Sequence, residues 1–129
     1  NPDLLIIAFG MNDGVSGGFA PKTYKENTLA IIDGVRECCP DTEIILVSPM
    51  LPNAEVANML VNQYNYVVVL NEIAVERENV AVADVATLSF RLLQLKKFRD
   101  MSANNINHPN DFLHRVYAQT IVKTIADIL

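Results

Sequence analysis

Three short apolar runs constrain this chain more than any other feature: Leu4 to Phe9 (LLIIAF), Ile44 to Val47 (IILV) and Val80 to Val85 (VAVADV, interrupted only by Asp84 near its end). A strand with one wet face alternates polar and apolar residues, whereas a strand covered on both faces is apolar throughout. Each run leads into a segment with helical spacing. After Gly14-Val15-Ser16-Gly17-Gly18 and Pro21, the residues Leu29, Ile32 and Val35 recur at helical intervals up to Pro40. Thr23 with Glu26 has the spacing of a capping box. A long helix is predicted from about Glu55 to Glu78, with Leu60, Tyr64, Val67 and Val68 along one side. Another, from about Thr87 to Arg99, presents Leu88, Leu92, Leu95 and Phe98. A polar loop, Asn104 to Pro109, precedes a last helix starting near Asn110. That helix stacks Leu113, Val116, Tyr117, Ile121, Ile125 and Ile128 on one face. The order β-α-β-α-β-α-α predicts an α/β fold with a parallel sheet, right-handed crossovers and helices on both faces. Three strands leave one long hydrophobic edge, so further strands are expected to precede residue 1.

Composition narrows the function classes. The 129 residues make one domain, half of them hydrophobic and 19% charged, which is a globular balance. A net charge of -5 with scattered basic residues argues against a nucleic-acid surface; Lys96-Lys97 with Arg99 reads as the solvated face of a helix. No run approaches the length of a membrane span. Cys38-Cys39 are adjacent, which disfavours a disulfide between them, and no Cys/His cluster has metal-ligand spacing. They read as free thiols near a helix end, at least one of them buried. Neither a metal nor an organic cofactor is expected, and the compartment is not readable from these residues.

In open α/β sheets ligands gather at the carboxyl ends of the strands. Those ends hold Gly10-Met11-Asn12-Asp13, Ser48-Pro49-Met50 and Asp84, and the His108 loop follows. The block Phe9-Gly10-Met11-Asn12-Asp13 after PDLLIIA resembles the GxND block of the SGNH/GDSL hydrolase family. Asn107-His108-Pro109-Asn110-Asp111, before an amphipathic helix, resembles that family's histidine block. The resemblance implies a three-layer, flavodoxin-like α/β/α fold, with residues 1–129 forming the C-terminal part of a single domain and supplying the last three of five strands. It implies that Asn12, in one loop with Gly10 and Asp13, donates its amide to an oxyanion, and that His108 is the general base. Histidine suits that role because its ordinary titration range brackets neutral pH.

Each residue also has a plainer reading. Asn12 and Asp13 are common turn residues after a strand, and Asp84 is placed to cap the following helix. His114 also sits in a literal DxxH with Asp111, but it lies inside the helix rather than before it. The family's acid position falls on Asn105, an amide that can orient imidazole without stabilising its cation as a carboxylate would. Asp84 is the candidate substitute acid. The family's nucleophile block precedes GxND, so the attacking serine is expected outside this chain, and the chain alone is expected to be inactive. Gly14-Val15-Ser16-Gly17-Gly18 is a literal G-x-S-x-G, yet no strand runs directly into it and no helix directly out of it. The expected activity is hydrolysis of a small-acyl ester, an acetyl ester of a carbohydrate or lipid-like molecule among them. The alternative is a non-catalytic α/β binding module with a decayed triad. A receiver-type domain fits less well, because it gives the His-Pro loop no role.

Overall fold

The computed structural model describes residues 2–128. Strands β1 (Leu4–Ile7), β2 (Glu43–Val47) and β3 (Val80–Ala83) form one parallel sheet in the order β1-β2-β3. Leu4 pairs with Glu43 and Ile7 with Leu46; Ile44 pairs with Val80 and Val47 with Ala83. The helices are α1 (Pro21–Cys38), α2 (Gln63–Glu76), α3 (Val85–Leu93) and α4 (Asp111–Ile128), with a 3-10 turn at Phe98–Asp100.

The central strand shows why its run carries no polar residue. Ile44 and Leu46 pack with Ile32 of α1 and Tyr66, Leu70 and Ile73 of α2. Ile45 and Val47 face the other way, onto Val85, Leu113 and Val116. Alternate side chains thus feed two cores, one on each face, and the three-layer arrangement follows. Removing each such aliphatic side chain from water contributes roughly 1.5–3 kcal/mol. β1 differs, with Ile6, and Phe9 just beyond its end, exposed.

Several local expectations are corrected. Helix α1 starts at Pro21 with Ala20 in extended conformation as its N-cap and no side-chain cap. Proline at the first helical position loses nothing, since its missing N–H would be unpaired there, and Thr23 falls inside the turn instead of capping it. Neither Cys38 nor Cys39 is buried: the first is exposed and the second half-buried. The helix expected from Glu55 begins only at Gln63. Before it, Asn53 Oδ1 accepts the Glu55 N–H and Asn58 adopts φ 66°, local choices that compete with helix. The buried side of α2 is Gln63, Tyr66, Val67, Val69, Leu70 and Ile73; of the expected stripe Val67 is buried, while Tyr64 and Val68 are exposed. The apolar residues of α2 run consecutively from Tyr66 to Leu70 and leave no clear stripe, so its inner face is set by packing. Helix α3 ends at Leu93, leaving Leu95 exposed and Lys96-Lys97 in a turn rather than on a helix.

Candidate active site

The GxND residues form a tight turn immediately after β1. Gly10 has φ 116°, a conformation side chains avoid, and a Cβ there would meet the Tyr24 hydroxyl and the Tyr66 ring at 3.1 Å. The Asp13 carboxylate accepts the Gly10 N–H at 2.9 Å and closes the turn on itself. Asp13 therefore shapes the loop, and Asn12 is left exposed at its tip.

The loop rests on buried groups of α1 and α2. The fully buried Gln63 donates through Nε2 to the carbonyls of Met11 (3.0 Å) and Met59 (2.8 Å), while its Oε1 accepts the Val61 N–H (3.0 Å). The Tyr66 hydroxyl lies 2.8 Å from the Asp13 carbonyl and 2.6 Å from that of Phe19, and its single proton serves one at a time. Tyr24 donates to the Phe9 carbonyl at 3.2 Å and stacks on Tyr66 with ring centroids 3.8 Å apart. Burial, then the Asp13 charge, pushes the Tyr66 hydroxyl up to about 12. Tyr24 is raised by the same two causes in the same order, and then by Tyr66.

The histidine loop is wired differently. Its ends meet in an antiparallel bridge between Ser102 and Pro109. The His108 carbonyl accepts from Ala103 N–H (2.9 Å) and the Ser102 hydroxyl (3.0 Å), and its N–H donates to Asn104 Oδ1 (3.0 Å). Asn110 begins α4 by accepting the Leu113 N–H at 3.2 Å. The His108 backbone is thus fixed on both sides while its side chain stays exposed.

The two loops meet. Asn107 donates through Nδ2 to Asn12 Oδ1 at 3.3 Å, which sets His108 one residue from a direct partner of Asn12. Between the ends of β1 and β2 lies a cavity of about 210 Å³, lined by Gly10, Asn12, Ser48, Pro49 and Tyr117. The Tyr117 hydroxyl accepts the Met50 N–H at 2.6 Å, and burial raises its pKa.

The other candidates are engaged with other partners. Asn105, at φ 56°, gives its carbonyl to Asn53 Nδ2 (2.9 Å) and borders a different cavity beside Pro52 and Lys97. Asp84 accepts the Thr87 N–H (2.9 Å) as N-cap of α3 and also the Ser48 hydroxyl (3.3 Å). Among the described residues no carboxylate forms an ion pair or hydrogen bond with the His108 imidazole. Ser16 is exposed in the turns between β1 and α1, its N–H donating to the Asn58 carbonyl, without the strand-to-helix elbow of a G-x-S-x-G nucleophile. His114 sits within α4, its N–H donating to the Asn110 carbonyl. Sequence reasoning does not single out Gln63, Asn104 or Asn107. The one available signal is the density of amide residues from Asn104 to Asn110.

Residues 1–116 match the model of the GDSL-like Lipase/Acylhydrolase family. The chain belongs to this family. Solved structures agree on the fold. A carbohydrate esterase family 3 protein from Talaromyces cellulolyticus superposes with a TM-score of 0.77 at 16% identity, covering 98% of this chain and 58% of its own. A lipolytic G-D-S-L family protein from Veillonella parvula gives 0.73 at 16% identity over 98% and 65%. The salicylyl-acyltransferase SsfX3 from a tetracycline biosynthetic pathway gives 0.65 at 19% identity over 98% and 38%. The chain thus spans less than two thirds of each of these proteins. A comparison with curated proteins gave no match.

Proposed function

We propose that the full-length protein is a serine esterase that transfers a small acyl group, acetyl among them, to water through an acyl-enzyme. The nucleophile is a serine outside these residues, His108 takes and returns its proton, and Asn12 donates to the oxyanion. The observation that carries this reading is the Asn107–Asn12 hydrogen bond, which brings the histidine loop to the GxND turn at the carboxyl end of the sheet. An uncharged amide suits an oxyanion site, because it stabilises developing charge without perturbing the neutral ester; one such donor is worth roughly 3–4 kcal/mol of barrier. With no carboxylate on His108 among the described residues, the working unit is a Ser-His pair. Neither a metal nor an organic cofactor has a role in this scheme. A carbohydrate or other small ester is the substrate class. The family match and the esterase neighbours support acyl chemistry, and assay against a panel of esters identifies the particular one.

The test is steady-state hydrolysis of p-nitrophenyl acetate by the full-length protein. His108→Ala should lower kcat by about three orders of magnitude or more with a smaller change in KM, since its contribution is made mainly in the transition state. His114→Ala should leave kcat within about threefold. Asn105→Asp should do the same, because its side chain is not bonded to the imidazole. A parent enzyme indifferent to His108→Ala would remove the hydrolase mechanism proposed here.

A further inference from the structure

An Asn side chain is directional: one end donates, the other accepts, and its neighbours decide which way it faces. We propose that Asn104 and Asn107 form an amide relay that holds Asn12 with its Nδ2 toward the acyl site, which makes Asn107 a positioning residue for the oxyanion donor. The inference rests on the assignment of Asn12 as that donor.

The direction of the relay is set at its start. The N–H groups of Ile106, Asn107 and His108 converge on one atom of the Asn104 side chain, at 2.9, 3.0 and 3.0 Å. Backbone N–H groups can only donate, so that atom is the oxygen. The Asn104 nitrogen then points outward and donates to Asn107 Oδ1 at 3.1 Å. This turns the Asn107 nitrogen toward the neighbouring loop, where it donates to Asn12 Oδ1 at 3.3 Å. The remaining end is Asn12 Nδ2, which has no acceptor among the described residues. Flipping Asn12 would set two NH2 groups face to face and aim a carbonyl at the developing oxyanion. Preorganisation of this kind matters because a donor must already face the charge when it forms. The histidine loop thereby acts twice on the site, because the polarity fixed by its own backbone also determines which end of Asn12 meets substrate.

A double-mutant cycle in the full-length protein tests this, with p-nitrophenyl acetate as substrate and kcat and KM measured separately. Asn107→Ala should lower kcat roughly 10- to 100-fold with little change in KM, as expected for a misplaced donor. Asn107→Asp should be worse, because a carboxylate can only accept and would draw Asn12 Nδ2 away from the acyl site. In an Asn12→Ala background both substitutions should become nearly silent, since their effect passes through Asn12. Multiplicative losses in that background would overturn the relay, and so would Asn107→Asp performing as well as Asn107→Ala. Asn12→Ala with unchanged kcat would be a different failure, removing the oxyanion assignment beneath it. Thermal unfolding of each variant is expected to match the parent, because Asn107 lies in a half-buried loop position. A melting shift large enough to account for the kcat loss at the assay temperature would count against the relay.

Discussion

The GxND turn and the histidine loop meet at one hydrogen bond, yet they are held by opposite means. The GxND turn is braced from beneath by buried side chains of distant elements: Gln63 and Tyr66 from α2, and Tyr24 from α1. The histidine loop organises itself, with the exposed Asn104 gathering the loop's own N–H groups. Burial makes the first kind of support expensive to lose, because a stranded polar group in the core finds no water. The second kind is cheap to lose in stability, because water can replace an exposed partner. A site with one rigid wall and one locally wired wall should therefore respond differently to damage on its two sides.

Gln63→Leu offers the most severe break on the braced side. It strands the Met11 and Met59 carbonyls and the Val61 N–H, and should cost about 3 kcal/mol, seen as a lower urea midpoint. A loss no larger than that of an exposed substitution would mean the brace is not structural.

Tyr66→Phe is milder, since it deletes one hydroxyl and keeps the stack on Tyr24; a loss of about 1–2 kcal/mol is expected. This position also carries a pH signature. The fold raises the Tyr66 pKa from 10.0 to about 12, so the folded state holds the proton more tightly than the unfolded chain. That contribution is fully present below pH 10 and is lost as pH rises toward 12. Urea midpoints between those values should fall more steeply for the parent than for Tyr66→Phe, and parallel curves would contradict the assignment.

The smallest stability effect is expected on the other side. Asn104→Ala should cost about 1 kcal/mol or less, while lowering kcat in the full-length protein by about tenfold or more through loosened placement of His108 and Asn107. Stability and activity falling together there, as at Gln63, would erase the contrast.

The sequence by itself determined the three parallel strands, because the runs at Leu4, Ile44 and Val80 stay apolar through every residue from Leu4 to Ile7, Ile44 to Val47 and Val80 to Ala83, as strands of a parallel sheet under helices do. It also determined the two motif blocks and their order along the chain, since GMND and NHPND are written in consecutive residues. It misjudged where α2 starts and, Val67 apart, which way it faces, because the consecutive apolar residues Tyr66 to Leu70 mark no single stripe and only packing against β2 and α1 selects Tyr66 and Ile73 as the inner side. Asp84 could be read as a cap or as an acid; in the fold its carboxylate accepts from Thr87 and Ser48. Only the tertiary structure put Gln63 beneath Met11, or Asn107 against Asn12, across 52 and 95 residues of chain. Such contacts leave no periodic trace in a sequence, because a hydrogen bond between distant loops is specified by where the sheet delivers their ends.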